Sequence, residues 1–285
     1  MFKILSEQEI APAVHRLVVA APRIAAARQP GQFVIVRAAE GAERIPLTIA
    51  DADSAAGTIT LIVQAVGDGT RRIIEQARAG SLRDVAGPLG RPTEIERFGN
   101  VACVGGGVGT AVLFPLAKAL AAAGNAVTAI IGGRSKGLVI LHQEMAEFCR
   151  QVLVTTEDGS MGIKGFVTAA LAELLAAPAD SAQRPAAVYA VGPVPMMRAV
   201  AEQTRPAGIR TIVSLNPIMV DGTGMCGGCR VTVGGQIRFA CVDGPEFDGH
   251  AVDYAELSSR QNAYLDPRCK LDEQLAASQK KGSRA

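Results

Sequence analysis

The sequence predicts a small antiparallel β-barrel, then a doubly wound α/β domain, and a short C-terminal region that carries cysteines. Short apolar runs alternate with Gly- or Pro-containing turns from residue 2 to about residue 98, a pattern typical of a barrel. From residue 100 the order becomes strand, Gly-rich turn and helix, which indicates a parallel sheet with helices on both faces. We therefore expect domains at residues 1–98, 99–214 and 215–285.

The composition excludes several classes of partner. The 285 residues include 29 Lys and Arg against 27 Asp and Glu, and the net charge of +2 is too small for a general affinity for nucleic acid or anionic lipid. Tryptophan is absent and aromatic residues make up only 4%, which removes most of the stacking surface that single-stranded nucleic acids use. Small molecules and proteins remain as the expected partners.

The chain is expected to be cytoplasmic. Its first residues, MFKILSEQEIAP, place acidic side chains where a secretory signal would have its apolar centre. The apolar stretch 111–124 is interrupted by Pro115 and Lys118 and is shorter than the roughly 20 residues that span a bilayer. Six cysteines are too few for a disulfide scaffold, and the clustering of three of them within residues 226–241 indicates a metal site in a reducing compartment.

In the first region, the segment Arg44-Ile45-Pro46-Leu47-Thr48 is the strongest candidate for ligand binding. Strand alternation sends Arg44, Pro46 and Thr48 to one face, where a guanidinium, an apolar wall and a hydroxyl can hold a pyrophosphate and a flavin ring. An exposed arginine on a strand is also an ordinary surface feature, so this alternative stays open.

The first region has one predicted helix, from Thr70 to near Gly80. Gly67, Gly69 and Thr70 lie in the turn that opens it, and a helix start after a glycine turn is suited to an anion.

The middle region contains Gly105-Gly106-Gly107-Val108-Gly109-Thr110 between a predicted strand and a predicted helix. Glycines there let the backbone approach a pyrophosphate, although the spacing differs from Gly-x-Gly-x-x-Gly and a simple tight turn is the alternative. Gly192, in a Gly-Pro turn after another strand, faces the same end of the sheet or simply ends that strand.

Two further strand-end loops carry charged side chains. Glu157 and Asp158 can hydrogen-bond a ribose or cap the next element. Arg134 and Lys136 can approach an adenosine ribose or its 2′-phosphate, or stay in solvent, so the choice between NAD and NADP remains open.

The third region holds Cys226, Cys229 and Cys241, the first two within a Gly-rich loop that can wrap a metal centre. A [2Fe–2S] cluster needs a fourth ligand, for which Asp221 is the candidate and Asp243 and His250 are competitors. A structural zinc site that includes His250, unligated buried thiols, and a turn-forming role for Asp221 are the alternatives.

The order of these motifs resembles that of ferredoxin-reductase-type flavoproteins. The likeness extends from about Phe2 to Cys269 and is greatest to the electron-transfer subunit of dihydroorotate dehydrogenase and to the small subunit of NADH-dependent ferredoxin:NADP oxidoreductase, also called sulfide dehydrogenase beta subunit. The resemblance implies FAD contacts at Arg44, Pro46, Leu47, Thr48, Gly67, Gly69 and Thr70. It implies NAD(H) contacts at Gly107, Gly109, Glu157, Asp158 and Gly192.

The resemblance also implies a [2Fe–2S] cluster held by Asp221, Cys226, Cys229 and Cys241, because the orotate-linked subunits have a cysteine where this sequence has Asp221. It further implies a larger flavin and iron–sulfur subunit as the partner in a heterodimer, ferredoxin as a partner of that complex, and electron bifurcation between NADPH, NAD and ferredoxin. Chemistry carried by the flavin requires no catalytic side chain. The alternatives are another partner, which oxidises dihydroorotate or reduces polysulfide, and a zinc-stabilised nucleotide-sensing module.

Overall fold

The structure, a computed structural model, describes residues 1–178, 181 and 183–262. Cys269 and the rest of the expected third region beyond residue 262 therefore lie outside the described residues. The strands are β1 (Phe2–Ala11), β2 (Val14–Ala20), β3 (Phe33–Arg37), β4 (Arg44–Asp53), β5 (Thr58–Gln64), β6 (Ser81–Leu82), β7 (Asp84–Leu89), β8 (Asn100–Gly106), β9 (Ala126–Gly133), β10 (Gln151–Thr156), β11 (Ile163–Lys164), β12 (Ala187–Val191), β13 (Arg210–Ser214), β14 (Arg230–Val233), β15 (Gln236–Phe239) and β16 (Glu246–Asp248).

The helices are α1 (Pro22–Ala27), α2 (Asp68–Arg78), α3 (Gly109–Ala122), α4 (His142–Ala146), α5 (Val167–Ala176), α6 (Val194–Thr204) and α7 (Tyr254–Asn262). Short 3-10 helices lie at Lys136–Leu138 and Arg205–Ala207. Among the described helices, none combines the length and the hydropathy that a membrane crossing needs.

The first sheet is antiparallel and curls into a nearly closed barrel. Its strand order is β6-β1-β2-β5-β4-β3-β7, so β6 and β7 are its two edges. These edges are consecutive in the chain and only Arg83 separates them, which forces the sheet to bend back on itself. The predicted barrel is confirmed, with Leu17, Ile59 and Leu61 fully buried inside it.

Helix α2 begins at Asp68, two residues before the predicted start at Thr70. The Thr70 hydroxyl donates to the Gly67 carbonyl at 2.9 Å and accepts from the Gly67 backbone N–H at 3.1 Å. This local bonding satisfies backbone groups at the turn and lets the helix start earlier.

The second sheet has the order β11-β10-β9-β8-β12-β13-β16 and is parallel except for β16. From the central strand β8 the chain moves outward to β9 and β10, then returns to the other side for β12 and β13, so a topological switch point lies between β8 and β12. Helix α3 packs on one face, and α5 and α6 pack on the other. The predicted doubly wound sheet is confirmed.

Three strands of the second sheet, β11, β13 and β16, were not predicted from the sequence. Strand β13 extends the parallel sheet, and β16, from the expected third region, pairs antiparallel with it. The third region is thus partly built into the edge of the second sheet.

The barrel and the α/β sheet share an apolar contact. Val14, Ala50 and Ile62 of the barrel form one buried group with Ala111 of α3 and with Ile140 and Leu141. On the surface, Lys118 Nζ lies 3.1 Å from an Asp51 carboxylate oxygen, and Arg16 donates to Glu144 at 2.6 Å. These contacts fix the barrel against the α3 side of the sheet.

The Asn125 side chain makes hydrogen bonds to the linker between the barrel and the sheet. Its side-chain oxygen accepts from the backbone N–H groups of Phe98 at 2.7 Å and Gly99 at 3.1 Å. Its amide nitrogen donates to the carbonyls of Glu96 and Leu120, both at 2.9 Å. One buried side chain therefore joins the linker to the end of α3.

We expect Asn125→Ala to lower the free energy of unfolding by about 2–4 kcal/mol, because buried backbone groups lose their partners. Asn125→Asp should cost at least as much, since it keeps the acceptor but turns a second oxygen toward two carbonyls. Urea unfolding measures both, and a loss below about 0.5 kcal/mol in both variants would refute this role for Asn125.

Candidate cofactor cavity and cysteine loop

A cavity of about 1060 Å³ lies between the barrel and the carboxyl end of the α/β sheet. Pockets for single drug-sized ligands span about 300–1,000 Å³, so this one has room for more than one small ligand. Its walls come from β4, the start of α2, the turns after β8, β9, β10 and β12, and the segment after β13. A cavity at the switch point of an open sheet is where such folds bind ligands.

The barrel wall of the cavity includes Pro46, Leu47, Thr48 and Thr70, four of the predicted flavin contacts. Ile45 and Leu47 also pack on the barrel core, which agrees with an outward orientation for Pro46 and Thr48. Arg44, Gly67 and Gly69 are not among the lining residues. Arg44 is exposed at the first position of β4.

The start of α2 can receive a negatively charged group. A Cβ placed on Gly69 would lie 2.3 Å from a carboxylate oxygen of Glu43, so that oxygen occupies the space a side chain would fill. Glu43 is exposed, and its carboxylate can leave this position. The glycine and the helix start therefore fit the phosphate group of a cofactor.

At the switch point, Gly107, Gly109 and Gly192 all line the cavity, as the sequence predicts for neighbouring turns. A Cβ on Gly109 would lie 2.5 Å from the Val191 carbonyl oxygen, so the first turn of α3 lies directly on the end of β12. Gly107 has φ +56°, which disfavours other residues. This close, side-chain-free approach fits a pyrophosphate.

The loops after β9 and β10 bring Arg134 and Glu157 to the cavity wall, but Asp158 and Lys136 are not among the lining residues. Asp158 accepts from the Ser160 hydroxyl at 2.6 Å, and hydrogen bonds from Ser160 hold the pKa of that carboxyl below its usual value. The buried hydroxyl of Thr155, which also lines the cavity, has no partner among the described residues. Such an unsatisfied group is expected where a polar ligand binds.

The sequence pattern did not predict the contribution of the segment after β13. The cavity wall includes Ser214, the last residue of β13, and then Leu215, Asn216, Pro217 and Met219, together with Pro245 and the barrel residue Phe33. The Asn-Pro dipeptide after an apolar run marks a turn at the carboxyl end of a strand, and this signal could have placed the segment at the cavity.

The cysteine loop, defined as residues 216–229, is joined to Cys241 by a β-hairpin. Strands β14 and β15 pair antiparallel, and the turn Gly234-Gly235 has positive φ at both residues, as a two-residue hairpin requires. The hairpin returns the chain to Cys229, whose Sγ lies 3.2 Å from Cys241 Sγ. The Gly-Gly dipeptide between two alternating runs could have predicted this hairpin.

The Cys226 end of the loop lies next to Asp221. One carboxylate oxygen of Asp221 accepts from the Cys226 backbone N–H at 2.8 Å, and the other accepts from Thr223 N–H at 3.0 Å. These backbone bonds, the one from Thr223 first, hold the pKa of Asp221 below its usual value. The donor set is thus a thiol pair, Cys229 and Cys241, and a neighbouring thiol and carboxylate, which suits a two-iron centre.

The two competing ligands have other contacts. One Asp243 carboxylate oxygen accepts from the Phe239 backbone N–H at 2.8 Å. The His250 ring lies 3.0 Å from the Thr204 hydroxyl on α6. Within the described ranges, no three His, Cys, Asp or Glu side chains meet as the ligands of a single metal ion. This holds for the predicted cluster ligands as well as for a zinc site, and the contact of His250 with α6 is the observation that argues against His250 as a ligand.

An apolar layer lies between the thiols of Cys229 and Cys241 and the cavity. Phe33 and Ile35 of β3 pack in one buried group with Met219, Cys229 and Cys241. Phe33 and Met219 also line the cavity, so the buried group that contains the thiols extends to the cavity wall. Burial in this layer raises the pKa of the Cys241 thiol to about 12.

Comparison with known proteins agrees with this geometry. A model of the iron-sulfur cluster binding domain of dihydroorotate dehydrogenase B matches residues 216–253. A homologue of the dihydroorotate dehydrogenase B (NAD(+)) electron transfer subunit from Thermotoga maritima is 46% identical over 264 residues, which cover 93% of this chain and 92% of that protein. The chain belongs to the dihydroorotate dehydrogenase B electron-transfer subunit family.

Other members of the electron-transfer subunit family differ in their similarity to this chain. The subunit from Bacillus caldolyticus is 36% identical over 255 residues, covering 86% of this chain and 94% of that protein. A solved chain from an NADH-dependent reduced ferredoxin-NADP oxidoreductase, studied for flavin-based electron bifurcation, is 44% identical with a TM-score of 0.87 and covers 96% of this chain and 98% of its own. The resemblance found in the sequence is confirmed.

The fold of the electron-transfer subunit family extends to more distant reductases. Phthalate dioxygenase reductase is 17% identical, covers 81% of this chain and 85% of its own, and superposes with a TM-score of 0.57. This likeness shows the shared architecture of barrel and α/β sheet.

We expect Gly109→Ala to weaken binding of NADH, the ligand that the sequence predicts for this turn, by at least about tenfold. The new methyl group would meet the Val191 backbone and move the turn after β8 away from β12. Gly137→Ala is the matched control, since a Cβ there meets no atom within 4 Å. Calorimetric titration with NADH measures both, and equal affinity in the two variants would contradict the close-approach argument.

Proposed function

We propose that this chain is the NAD(H)-linked electron-transfer subunit of a flavin and iron–sulfur oxidoreductase. It exchanges hydride with NAD(H) in the cavity and passes single electrons through the cysteine loop to a larger partner subunit. Residues 1–98 would hold FAD, residues 99–214 NAD(H), and residues 215–285 a [2Fe–2S] cluster. The observation that carries this proposal is the cavity at the switch point. Two of its lining residues, Phe33 and Met219, belong to the buried group that contains Cys229 and Cys241.

The flavin, when bound, supplies the conversion between a two-electron hydride and single electrons. The residues proposed to bind it are Arg44, Pro46, Leu47, Thr48, Gly67, Gly69 and Thr70. Pro46 and Thr48 give an apolar wall and a hydroxyl on one face of β4, and the start of α2 offers backbone N–H groups to a phosphate. Arg44 stands at the exposed rim of this wall, where it can pair with a phosphate without being buried.

The residues proposed to bind NAD(H) are Gly107, Gly109, Glu157, Asp158 and Gly192. The three glycines place backbone at the switch point without side chains. Glu157 lies in the cavity wall and accepts hydrogen bonds, as a ribose requires. Asp158 fixes the loop through Ser160, so we propose that it holds Glu157 in place.

The proposed cluster ligands are Asp221, Cys226, Cys229 and Cys241. The Sγ atoms of Cys229 and Cys241 lie 3.2 Å apart. The hydrogen bond from the Cys226 backbone N–H to the Asp221 carboxylate keeps Asp221 and Cys226 close to each other. Glycines on both sides of Cys226 leave backbone N–H groups available to the sulfur atoms.

Of the possible partners, we propose a larger flavin and iron–sulfur subunit that forms a heterodimer with this chain and uses ferredoxin in a bifurcating reaction in the cytoplasm. Sequence identity is higher to the ferredoxin-NADP oxidoreductase chain, 44%, than to the Bacillus caldolyticus electron transfer subunit, 36%. A dihydroorotate-oxidising partner is the second candidate, since the Thermotoga maritima homologue of the dihydroorotate dehydrogenase B electron transfer subunit is 46% identical to this chain.

The purified chain should show flavin absorption with a broad shoulder from an iron–sulfur cluster, and NADH should bleach both under anaerobic conditions. Cys226→Ser should lose the cluster signal and keep the flavin bands that NADH bleaches, because Cys226 is proposed as a cluster ligand only. Cys149→Ser is the matched control, since Cys149 is a half-buried thiol outside the loop.

A colourless zinc-containing protein would refute the electron-transfer function. Asp221→Cys tests the fourth ligand in the same samples, because a change from carboxylate to thiolate must shift the cluster potential. An unchanged potential would exclude Asp221 as a ligand.

The partner is proposed to dock over the cysteine loop. Ile218, Val220, Met225 and Val242 are exposed apolar residues on or beside it, and Met225 is 89% exposed. Such a group of apolar side chains next to a redox site marks a contact for another protein. Docking there would bring the partner within reach of the thiols.

We expect Met225→Asp combined with Val242→Asp to weaken association with the co-expressed larger subunit by at least about tenfold, since a charge would be buried in an apolar contact. Flavin reduction by NADH within this chain should stay normal. Leu5→Asp, at a 51% exposed site on the barrel, is the control. Normal association of the double variant, measured by analytical ultracentrifugation, would place the interface elsewhere.

A further inference from the structure

Glu246 is a carboxylate at the junction between the barrel and the α/β sheet. It is the first residue of β16 and stands opposite Ser214 of β13. Because neighbours in register point to the same face, Glu246 lies on the face of the sheet that holds Val191 and Ser214, both of which line the cavity. The preceding residue, Pro245, lines the cavity as well.

The carboxylate closes the junction between barrel and sheet. It accepts from the Thr93 hydroxyl at 2.8 Å, and Thr93 belongs to the linker that leaves the barrel. A Cβ on Gly31, in the turn before β3, would lie 3.2 Å from the same Glu246 oxygen. Glu246 is therefore confined between the barrel, the linker and the sheet edge.

Among the residues that the structure describes, the charge of Glu246 has no partner cation. Within the described part of the chain, Glu246 makes no ion pair, and its one side-chain hydrogen bond is from Thr93. Burial raises the pKa of Glu246 to about 7, while the Thr93 bond lowers it. The other titratable or charged groups on elements that surround it are Cys103, Tyr189, Arg210, Arg91, Glu94, Glu96, Asp243 and Asp248.

Of these groups, Arg210 is the cation on the adjacent strand, and it pairs with Glu96 at 2.7 Å and Glu94 at 3.9 Å. Burial and then the Glu246 charge raise the pKa of Tyr189. Burial also raises the pKa of Cys103, so Tyr189 and Cys103 remain neutral near pH 7, where burial brings the pKa of Glu246.

The two residues that flank Glu246 in the chain reach the two proposed redox positions. Pro245 on one side contacts the cavity. Phe247 on the other side packs against the buried group that contains Cys229 and Cys241. Glu246 is half-buried, so a negative charge added at either position acts on it more strongly than it would through bulk water.

We propose that Glu246 is a redox-linked proton site of this subunit, an inference that rests on the proposed function. When electrons from NADH enter the cavity or the cysteine loop, the Glu246 carboxylate takes one proton from solvent and becomes a neutral carboxylic acid. On reoxidation it returns that proton to solvent. No covalent bond other than its O–H bond forms or breaks, and the electrons remain with the cofactors.

The test compares the wild type with Glu246→Gln and with Glu94→Gln, the control from the same linker. Infrared difference spectra of reduced minus oxidised holoprotein at pH 8 should contain a carboxylic acid C=O band in the wild type and in Glu94→Gln, and should lack it in Glu246→Gln. Spectroelectrochemical titration from pH 5.5 to 9 should show a break in the pH dependence of the midpoint potential that Glu246→Gln removes. The pH of that break should differ between oxidised and reduced protein by on the order of one unit.

The unfolding of the three proteins gives a second readout. Because the folded pKa lies above the unfolded one, ionisation of Glu246 removes stability as pH rises from about 4.5 to about 7 and has a constant cost above that range. Glu246→Gln should therefore have a higher Tm than the wild type at pH 8 and the same Tm near pH 4.5.

Identical infrared and potential data in wild type and Glu246→Gln would overturn the redox link while leaving the electron-transfer function intact. Equal Tm values at pH 8 would show that the carboxylate pays no burial cost and would also overturn it. Absence of bound flavin and cluster from the wild type would instead refute the proposed function, and this inference with it.

Discussion

The site depends on the fixed contact between the barrel and the carboxyl end of the α/β sheet. The barrel supplies one wall of the cavity and the sheet supplies the other. Two ligands that touch each other can therefore be bound only when both walls are in place. The apolar group that joins Val14, Ala50 and Ile62 to Ala111 holds this relation, and ion pairs at its edge add orientation rather than much energy. Hydride transfer requires reacting atoms about 3–3.5 Å apart, a tolerance that a hinged pair of domains would not maintain.

The third region uses the same contact for a second purpose. Its loop packs on β3, where Phe33 lines the cavity and belongs to the same buried group as Cys229 and Cys241. The hairpin of β14 and β15 then brings Cys241 back to Cys229, and β16 ties the end of the region to the sheet. Since β16 pairs with β13, the position of the thiols relative to the switch point is set by backbone hydrogen bonds, which are less variable than side-chain packing.

The sequence predicted the features that are local along the chain. Glycine turns between a strand and a helix have their own conformational requirement, so Gly107, Gly109 and Gly192 could be assigned to one end of a sheet. Cys226 and Cys229, which are close in sequence within a Gly-rich segment, could be assigned to a metal-binding loop. Features that arise from long-range pairing were missed. Strand β16 has three residues, too few to show alternation, and its place beside β13 is decided by tertiary contacts. The wall formed by Ser214 to Pro217 has no chemical signature beyond an Asn-Pro turn, and only the chain path shows that it faces the barrel.

The residues proposed to bind the cofactors fall into two groups, those that line the cavity and those that lie outside its wall. Pro46, Thr48, Gly107 and Gly109 line the cavity directly, whereas Arg44 and Asp158 stand outside its wall, where water screens their charge. An exposed guanidinium can orient a phosphate at the rim but contributes little to affinity when fully solvated. The binding energy must therefore come from backbone N–H groups and apolar surface inside the cavity, which are fixed before a ligand arrives. The cavity walls have few charged side chains, Arg134 and Glu157, and such a site leaves the chemistry to the cofactors, in agreement with an electron-transfer role that uses no side-chain acid or base at the reacting atoms.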